Sequence, residues 1–174
     1  MSAGAKPPAA PPPNIYDPVF DEPREEEGFR ARRARLGYQM ASERLGLSLW
    51  EVPVGEAAYP YHFHLTEEEI VIVLEGEPVL RAPEGPRQLG PGDVIGFQPG
   101  EPGAHQFTNP GPDLVRLLSM STHGVPDLVV YPDSKKLGAA ERHSRGGGLR
   151  LFFRIEDAVD YWDRESPPSS EDER

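Results

Sequence analysis

Short apolar runs alternate along the chain with clusters of proline, glycine, asparagine and acidic residues. Runs containing β-branched or aromatic residues occupy positions 45–54, 69–74, 78–82, 94–98, 105–108, 114–121, 128–131 and 149–155. Turn sequences such as GPGD and NPGPD separate them. Because apolar runs this short, bounded by glycine and proline, are typical of strands, the pattern predicts an all-β chain folded as an antiparallel barrel or sandwich.

The two ends of the chain differ in composition from its middle. Residues 1–28 are rich in alanine and proline and then in acidic residues, which predicts a disordered or extended acidic arm. Residues 165–174 are polar and are predicted to form a disordered tail. One barrel domain with flanking segments is therefore expected over residues 29–164. A short helix is predicted near its end, where Glu156 and Asp157 precede the apolar sequence AVDYW.

Composition and charge limit the classes of function. The 174 residues include 21 prolines and 18 glycines, which suits many short strands better than a helical bundle. The formal net charge of −11 repels phosphate backbones, so nucleic acid is not expected as a partner. The basic sequence FRARRAR, residues 29–35, follows three glutamates and is interpreted as a solvated or dimer-contacting segment. The absence of cysteine excludes disulfides, zinc–thiolate sites and thiol nucleophiles.

The sequence also carries no signal for a membrane. The N-terminus lacks the charged-then-apolar profile of a signal peptide, and no apolar run approaches the roughly 20 residues that span a bilayer. A soluble cytoplasmic protein with no membrane partner is the expectation.

Four residues are predicted to meet at one point. His62 and His64 are two residues apart, a spacing that places both side chains on one face of a strand. A tight connection could return the Glu69 carboxylate to that point, and His105 lies on a separate predicted strand. Neutral imidazole is the commonest metal ligand, and a carboxylate adds neutralising charge. Four protein ligands leave positions open on a metal that prefers six, as catalysis requires.

Neighbouring polar residues leave alternatives. Glu68 could replace Glu69 as the carboxylate, although Glu67 and Glu68 are otherwise expected in a solvated turn. Arg81 and Arg116 lie in predicted strands. If either faces inward it could bind a substrate carboxylate, and if it faces outward it would extend into solvent.

A family resemblance rests on the spacing around the histidine pair. The sequence from Gly55 to Gly76 has the form G-x6-H-x-H-x4-E-x6-G. This resembles the first motif of the cupin superfamily, whose usual form has five residues after the first glycine.

The sequence GDVIGFQPGEPGAHQFTN, residues 92–109, resembles the second motif of the same superfamily. Pro99, His105 and Asn109 match its pattern. The turn between the first two departs by about a residue, because Gly103 precedes His105 by two positions rather than three. This departure affects the expected shape of the loop more than the histidine.

The resemblance implies a fold and a ligand set. The fold would be a cupin-type antiparallel β-barrel, also called a double-stranded β-helix or jelly roll, with a metal inside it near one mouth. The ligands would be His62, His64, Glu69 and His105, holding one divalent transition metal per chain, either Fe, Mn, Ni, Zn or Cu. The later part of the chain resembles bacterial single-cupin proteins of unassigned activity. The alternative is a degenerate cupin whose histidines bond to each other or to water.

Two functions follow from the resemblance. The first is a small-molecule metalloenzyme with dioxygenase, isomerase or decarboxylase chemistry on a bidentate oxygen ligand, in which Glu69 is both ligand and proton acceptor. The second is a non-catalytic module that binds or senses a metabolite. Isolated cupins usually pair, so a homodimer is expected, with residues 29–44 and 149–162 wrapping or swapping across it.

Overall fold

A computed structural model describes residues 11–124, 126–141 and 148–167. The start of the predicted N-terminal arm, residues 1–10, and most of the predicted tail, residues 168–174, lie outside the described residues. No helix in the described ranges is long and apolar enough to cross a membrane.

The described chain is built almost entirely from strands. These are β1 (Glu22–Arg24), β2 (Ala31–Ala34), β3 (Leu45–Val52), β4 (Phe63–His64), β5 (Glu69–Glu75), β6 (Val79–Ala82), β7 (Gly85–Gln88), β8 (Val94–Phe97), β9 (Gln106–Thr108), β10 (Val115–Thr122), β11 (Asp127–Tyr131), β12 (Lys136–Ala140) and β13 (Arg150–Arg154). One α-helical turn, α1 (Leu36–Gln39), follows β2.

The strands form antiparallel sheets that wrap around one core, and the predicted cupin-type β-barrel is confirmed. The largest sheet has the order β1-β2-β3-β10-β5-β8, a second has β13-β12-β11-β4, and a third has β7-β6-β9. Isolated bridges, including one between His62 and His105, connect segments outside the named strands. The two histidine motifs therefore lie side by side although they are far apart in sequence.

Alternation along the central strands places one face of each in the core. In β5, Val71 and Val73 are buried, whereas Ile70, which precedes them, faces outward. They pack with Leu80, Phe107 and other apolar side chains in the main cluster. Each such buried side chain stabilises the fold by about 1.5–3 kcal/mol, so the wall that carries the histidines is rigid.

The C-terminal helix is shorter than the sequence pattern predicts. A single 3-10 turn, Ile155–Asp157, follows β13, and residues 158–167 continue as turns and irregular chain. Every residue from 148 to 167 is exposed. The apolar positions of AVDYW have no surface to pack against among the residues that the structure describes, and helices of this length are not stable without such packing.

Gly76, the last glycine of the first motif, directly follows β5 and has a φ of +78°. A Cβ atom there would lie 2.6 Å from the carbonyl oxygen of Leu114 and 2.8 Å from a methyl group of Val115. Both the backbone conformation and the neighbouring backbone therefore require glycine.

Gly76→Ala is accordingly expected to destabilise the protein by about 2 kcal/mol, because it combines a left-handed residue with a backbone clash. Urea denaturation would measure the change. Gly90→Ala is the matched control, since nothing lies within 4 Å of a Cβ built at that position. Equal midpoints for the two variants would contradict the explanation.

Candidate metal centre

Strand pairing brings the two histidine motifs together. The amide of His62 donates to the carbonyl of His105 at 3.2 Å, and the amide of His105 donates to the carbonyl of His62 at 2.9 Å. His64 lies in β4, and Glu69 is the first residue of β5. Reciprocal main-chain bonds thus fix the backbones from which two of the imidazoles project.

The four side chains predicted from the sequence converge inside the barrel. One ligand atom each of His62, Glu69 and His105 lies within 4.8 Å of the others. Oε2 of Glu69 is 3.2 Å from Nε2 of His105 and 3.5 Å from Nε2 of His64. The ring centroid of His62 is 5.1 Å from that of His64 and 4.8 Å from that of His105. Glu68, the alternative carboxylate, is exposed.

Hydrogen bonds on the outer side of the rings set the tautomers. Nδ1 of His62 is 2.9 Å from the carbonyl oxygen of Pro60, and Nδ1 of His105 is 2.9 Å from that of Gly103. A carbonyl can only accept, so each Nδ1 carries a proton, and in the neutral form of either ring the lone pair is on Nε2, which faces inward. Nδ1 of His64 makes the corresponding contact with Asp127, at 2.8 Å.

The inward-facing atoms are all acceptors. Nε2 of His105 and Oε2 of Glu69 are buried, and neither has a hydrogen-bond partner among the described residues although they are only 3.2 Å apart. Two lone pairs at this separation repel unless a cation or a proton lies between them. Inward-facing imidazole nitrogens around one carboxylate are the donor set of a divalent transition metal, so the residues fit such an ion.

The electrostatics of the group favour the deprotonated forms that bind metal. Burial, together with the neighbouring His105, lowers the pKa of His62 to about 3. Burial acts to raise the pKa of Glu69, but the surrounding imidazoles, that of His105 first, hold it well below its usual range. At neutral pH His62 is therefore neutral and Glu69 is anionic.

A second layer of carboxylates lies behind His64. Asp127 is fully buried at the start of β11, the strand that pairs with β4. The expectation that Glu67 lies in a solvated turn is wrong: it is 1% exposed, accepts from the amide of Gly124 at 3.1 Å and lies 3.8 Å from Nδ1 of His64. The chain turns inward before β5, so Glu67 faces the back of the imidazole while Glu68 faces solvent.

Asp127 orients His64, because a carboxylate that accepts from Nδ1 holds the ring with Nε2 facing the other ligands. The sequence offered one sign of this role, an acidic residue at the first position of the apolar strand DLVVY. Nothing in the sequence shows that this strand pairs with the segment containing His64, 63 positions away.

Asp127→Asn should weaken metal binding by about 10- to 100-fold, since an amide cannot hold the same tautomer as firmly. Chelator competition would measure the affinity, and nitrogen chemical shifts of His64 in the metal-free protein would report the tautomer. Asp133→Asn is the control, because Asp133 pairs with Arg81 on the surface. Wild-type affinity and an unchanged tautomer in Asp127→Asn would contradict the orienting role.

Neither arginine considered from the sequence reaches the metal centre. Arg81 is about half exposed and forms two hydrogen bonds with Asp133, of 2.6 and 2.8 Å. Arg116 is buried but pairs with Glu75 at 2.9 Å and with Glu51 at 3.3 Å. Both side chains form ion pairs away from the cavity, so neither is placed to bind a substrate anion beside the metal centre.

A cavity of about 950 Å³ opens from the imidazoles toward the surface. His62, His64 and Glu69 lie at its inner end. The aromatic rings of Trp50, Tyr59, Tyr131 and Phe152 and several basic side chains line the rest of it. This volume is that of a small-molecule site.

Comparison with known proteins agrees with this geometry. A family model described as "Cupin domain" matches residues 48–121, the part of the chain that contains both histidine motifs. The chain contains a cupin domain. Among curated proteins, none matches the chain.

Solved structures extend the likeness beyond the cupin motifs. A candidate sugar phosphate isomerase from Acidithiobacillus ferrooxidans is 26% identical, with a TM-score of 0.65 over 76% of this chain and 81% of that one. A cupin-superfamily sugar phosphate isomerase from Silicibacter pomeroyi is 23% identical, with a TM-score of 0.72 over 88% and 98% of the two chains. The polyketide cyclase RemF from Streptomyces resistomycificus is 26% identical, with a TM-score of 0.53 over 63% and 76%.

Proposed function

We propose that this cupin is a metalloenzyme that acts on a small, oxygen-rich substrate and holds one divalent transition metal through His62, His64, Glu69 and His105. The observation that carries the proposal is the convergence of inward-facing imidazole nitrogens on the Glu69 carboxylate, with two of these buried atoms lacking a hydrogen-bond partner among the described residues. A metal in this position supplies Lewis-acid chemistry to a bidentate oxygen ligand or, if it is iron, dioxygen chemistry.

The chain's own residues have separate tasks in this proposal. The three imidazoles, fixed by their outer hydrogen bonds, orient the ion, and the Tyr59 ring packs edge-on against His62 at 4.9 Å and limits access of water on that side. Glu69 is the candidate proton acceptor beside the substrate. Its lowered pKa makes it a weak base, so its first task is to neutralise the charge of the ion.

Isomerisation of a sugar-like substrate has the most support among the possible reactions. The structure from Acidithiobacillus ferrooxidans, described as a candidate sugar phosphate isomerase, resembles this chain over three quarters of its length. A sugar with adjacent carbonyl and hydroxyl oxygens is a bidentate ligand of the kind that the open positions of such a metal accept.

Turnover is the test of this proposal. The protein, reconstituted separately with iron, manganese, nickel, zinc and copper, would be incubated with aldose and ketose phosphates and followed by carbon NMR, with oxygen consumption recorded in parallel. Interconversion that is lost on metal removal and in His105→Ala supports the proposal. Turnover that survives metal removal contradicts it, and saturable binding without turnover favours the non-catalytic binding module instead.

We also propose that the protein is a homodimer. The segment from residue 149 to 162 exposes Phe152, Phe153, Tyr161 and Trp162, with between 49% and 82% of each accessible. Strand β13 pairs with β12 of its own chain, and among the described residues this leaves about half or more of each of these side chains exposed, although Phe152 also lines the cavity. An exposed apolar patch of this kind is typical of a surface that meets a partner.

Sedimentation at micromolar concentration should therefore give the mass of two chains. Replacing Phe153 with serine should shift the equilibrium toward monomer, because it removes apolar surface from the patch. Tyr16→Ser is the control, because Tyr16 is an exposed aromatic residue outside both segments expected at the dimer contact. A wild-type protein that sediments as a monomer would contradict the dimer.

A further inference from the structure

The basic sequence at residues 29–35 is not merely solvated. Strand β2 pairs with β1 on one side and β3 on the other, so alternate side chains face opposite directions. Arg32 pairs with Glu51 on one face. Arg33, on the other face, donates from Nε to Oγ of Ser48 at 3.0 Å and lines the cavity.

Two guanidinium groups flank Trp50 at the cavity wall. Arg24 from β1 lies 4.6 Å from the centre of the Trp50 ring, and Arg33 lies 4.8 Å from it. Trp50 in turn packs edge-on against Tyr59 at 5.4 Å, and Tyr59 packs against His62 at 4.9 Å. The arginines therefore lie beside the metal centre, separated from it by two aromatic rings.

The charge of the cavity is opposite to that of the chain. Five basic side chains line it among the described residues: Arg24, Arg33, Arg35, Lys136 and Arg150. Besides Glu69, three described carboxylates do so: Glu22, Asp127 and Glu141. In a protein with a formal net charge of −11, such a local excess of positive charge draws an anion into the cavity.

Glu22 neutralises part of this excess. Its carboxylate lies 3.3 Å from Arg33, 3.7 Å from Arg24 and 3.5 Å from Arg35, which also contacts Asp21 at 3.5 Å. Two carboxylates, those of Glu22 and Asp21, thus face three guanidinium groups, and the charges of these five residues sum to +1. Partly buried arginines are a common means of binding phosphate, because a phosphate accepts several charge-assisted hydrogen bonds at once.

We propose that Arg24, Arg33, Lys136 and Arg150 form a subsite for the phosphate group of a phosphorylated substrate, whose other end reaches the metal centre. The proposal rests on the proposed function and specifies its substrate class. Glu22 competes with that phosphate for the arginines. The rings of Trp50 and Tyr59 lie between the two sites and set the distance between the phosphate group and the end of the substrate that reaches the metal centre.

Fluorescence of Trp50 provides the test, since both arginines stack on its ring. Trp162→Phe removes the second tryptophan, which is exposed, and leaves Trp50 as the reporter. The full chain, as purified, would be titrated with glucose 6-phosphate, glucuronate and glucose. Glucose 6-phosphate should bind at least tenfold more tightly than glucose, and glucuronate, which has a carboxylate at the same carbon, should lie between them.

Three variants separate the subsite from a general effect on folding. Arg24→Gln should weaken binding of glucose 6-phosphate at least tenfold, whereas Glu22→Gln should tighten it severalfold by removing the competing carboxylate. Arg81→Gln, a surface control, should bind as wild type does. Equal affinity for glucose and glucose 6-phosphate, glucuronate binding as tightly as the phosphate, or weaker binding by Glu22→Gln would overturn the proposal.

Metal content measured on the same samples keeps the two proposals apart. Bound metal without a preference for the phosphorylated sugar would refute the subsite and leave the metalloenzyme standing. A clear phosphate preference in a protein that cannot bind metal would support the subsite and refute the metalloenzyme.

Discussion

His105→Ala should lower the affinity for divalent transition metals by at least about 100-fold. The change removes one of the three imidazoles around Glu69, and replacing an outer residue that only orients a ligand already costs about 10- to 100-fold. His105 is also the residue whose buried Nε2 lies 3.2 Å from Oε2 of Glu69 with no hydrogen-bond partner among the described residues. Competition with a coloured chelator would measure the affinity.

The control for this variant is His123→Ala. His123 is the first residue after β10, and its Nδ1 lies 3.3 Å from the carbonyl oxygen of Glu43, away from the four converging residues. It should retain wild-type affinity. Circular dichroism of both metal-free variants would confirm that the barrel is intact, because His105 also stacks on Phe97 at 3.8 Å. Unchanged affinity in folded His105→Ala would remove this residue from the ligand set.

Acidification should destabilise the metal-free protein well before its carboxylates titrate. Burial, with the neighbouring His105, lowers the pKa of His62 to about 3, whereas an unfolded chain has a histidine pKa of about 6.5. Below pH 6.5 the unfolded state therefore binds a proton that the folded state excludes. The free energy of unfolding falls by up to about 1.4 kcal/mol per pH unit below pH 6.5, or about 2 kcal/mol between pH 6.5 and 4.5.

The pKa of Glu69 is lowered, so the stability it contributes is present above its unfolded pKa of about 4.3 and is lost only at lower pH. The window between pH 6.5 and 4.5 consequently separates the contribution of His62 from that of Glu69. Urea denaturation in the presence of EDTA would measure the slope, which should become shallower in His62→Gln and stay unchanged in His123→Gln. A wild-type stability that does not vary over this window would show that His62 is not buried in its neutral form.

The barrel and the converging side chains could be predicted from the sequence for a physical reason. A two-residue spacing on a strand puts His62 and His64 on one face whatever the rest of the chain does. Short apolar runs between glycine and proline turns leave few alternatives to an antiparallel fold. That His105 joins this pair is implied by the resemblance of residues 92–109 to the second cupin motif, not by the spacing alone.

Other features of the site depend on pairings that no local pattern reveals. Asp127 contacts His64 because β11 lies beside β4, and Arg24 and Arg33 reach the cavity because β1 and β2 extend the sheet of β3. Residues 22–24 have the composition of a solvated acidic arm. The ladder to β2, the stacking of Arg24 on Trp50 and the ion pairs of Glu22 order them.

Glu67 illustrates the limit of a rule based on composition. A run of three glutamates predicts a solvated turn, yet the turn before β5 directs the first of them into the protein, where it accepts from the Gly124 amide. Burying a carboxylate is costly unless hydrogen bonds or charges compensate. The compensation comes from chain segments far along the sequence, so it is visible only in the folded molecule.

Elemental mass spectrometry of untagged protein, wild type beside His64→Ala, tests the central claim most directly. Close to one transition metal per wild-type chain and almost none in the variant are expected, because His64 is one of the four converging side chains proposed as ligands and its Nε2 lies 3.5 Å from Oε2 of Glu69. Wild-type protein that holds no metal even after reconstitution, or a variant that retains the full amount, would contradict it.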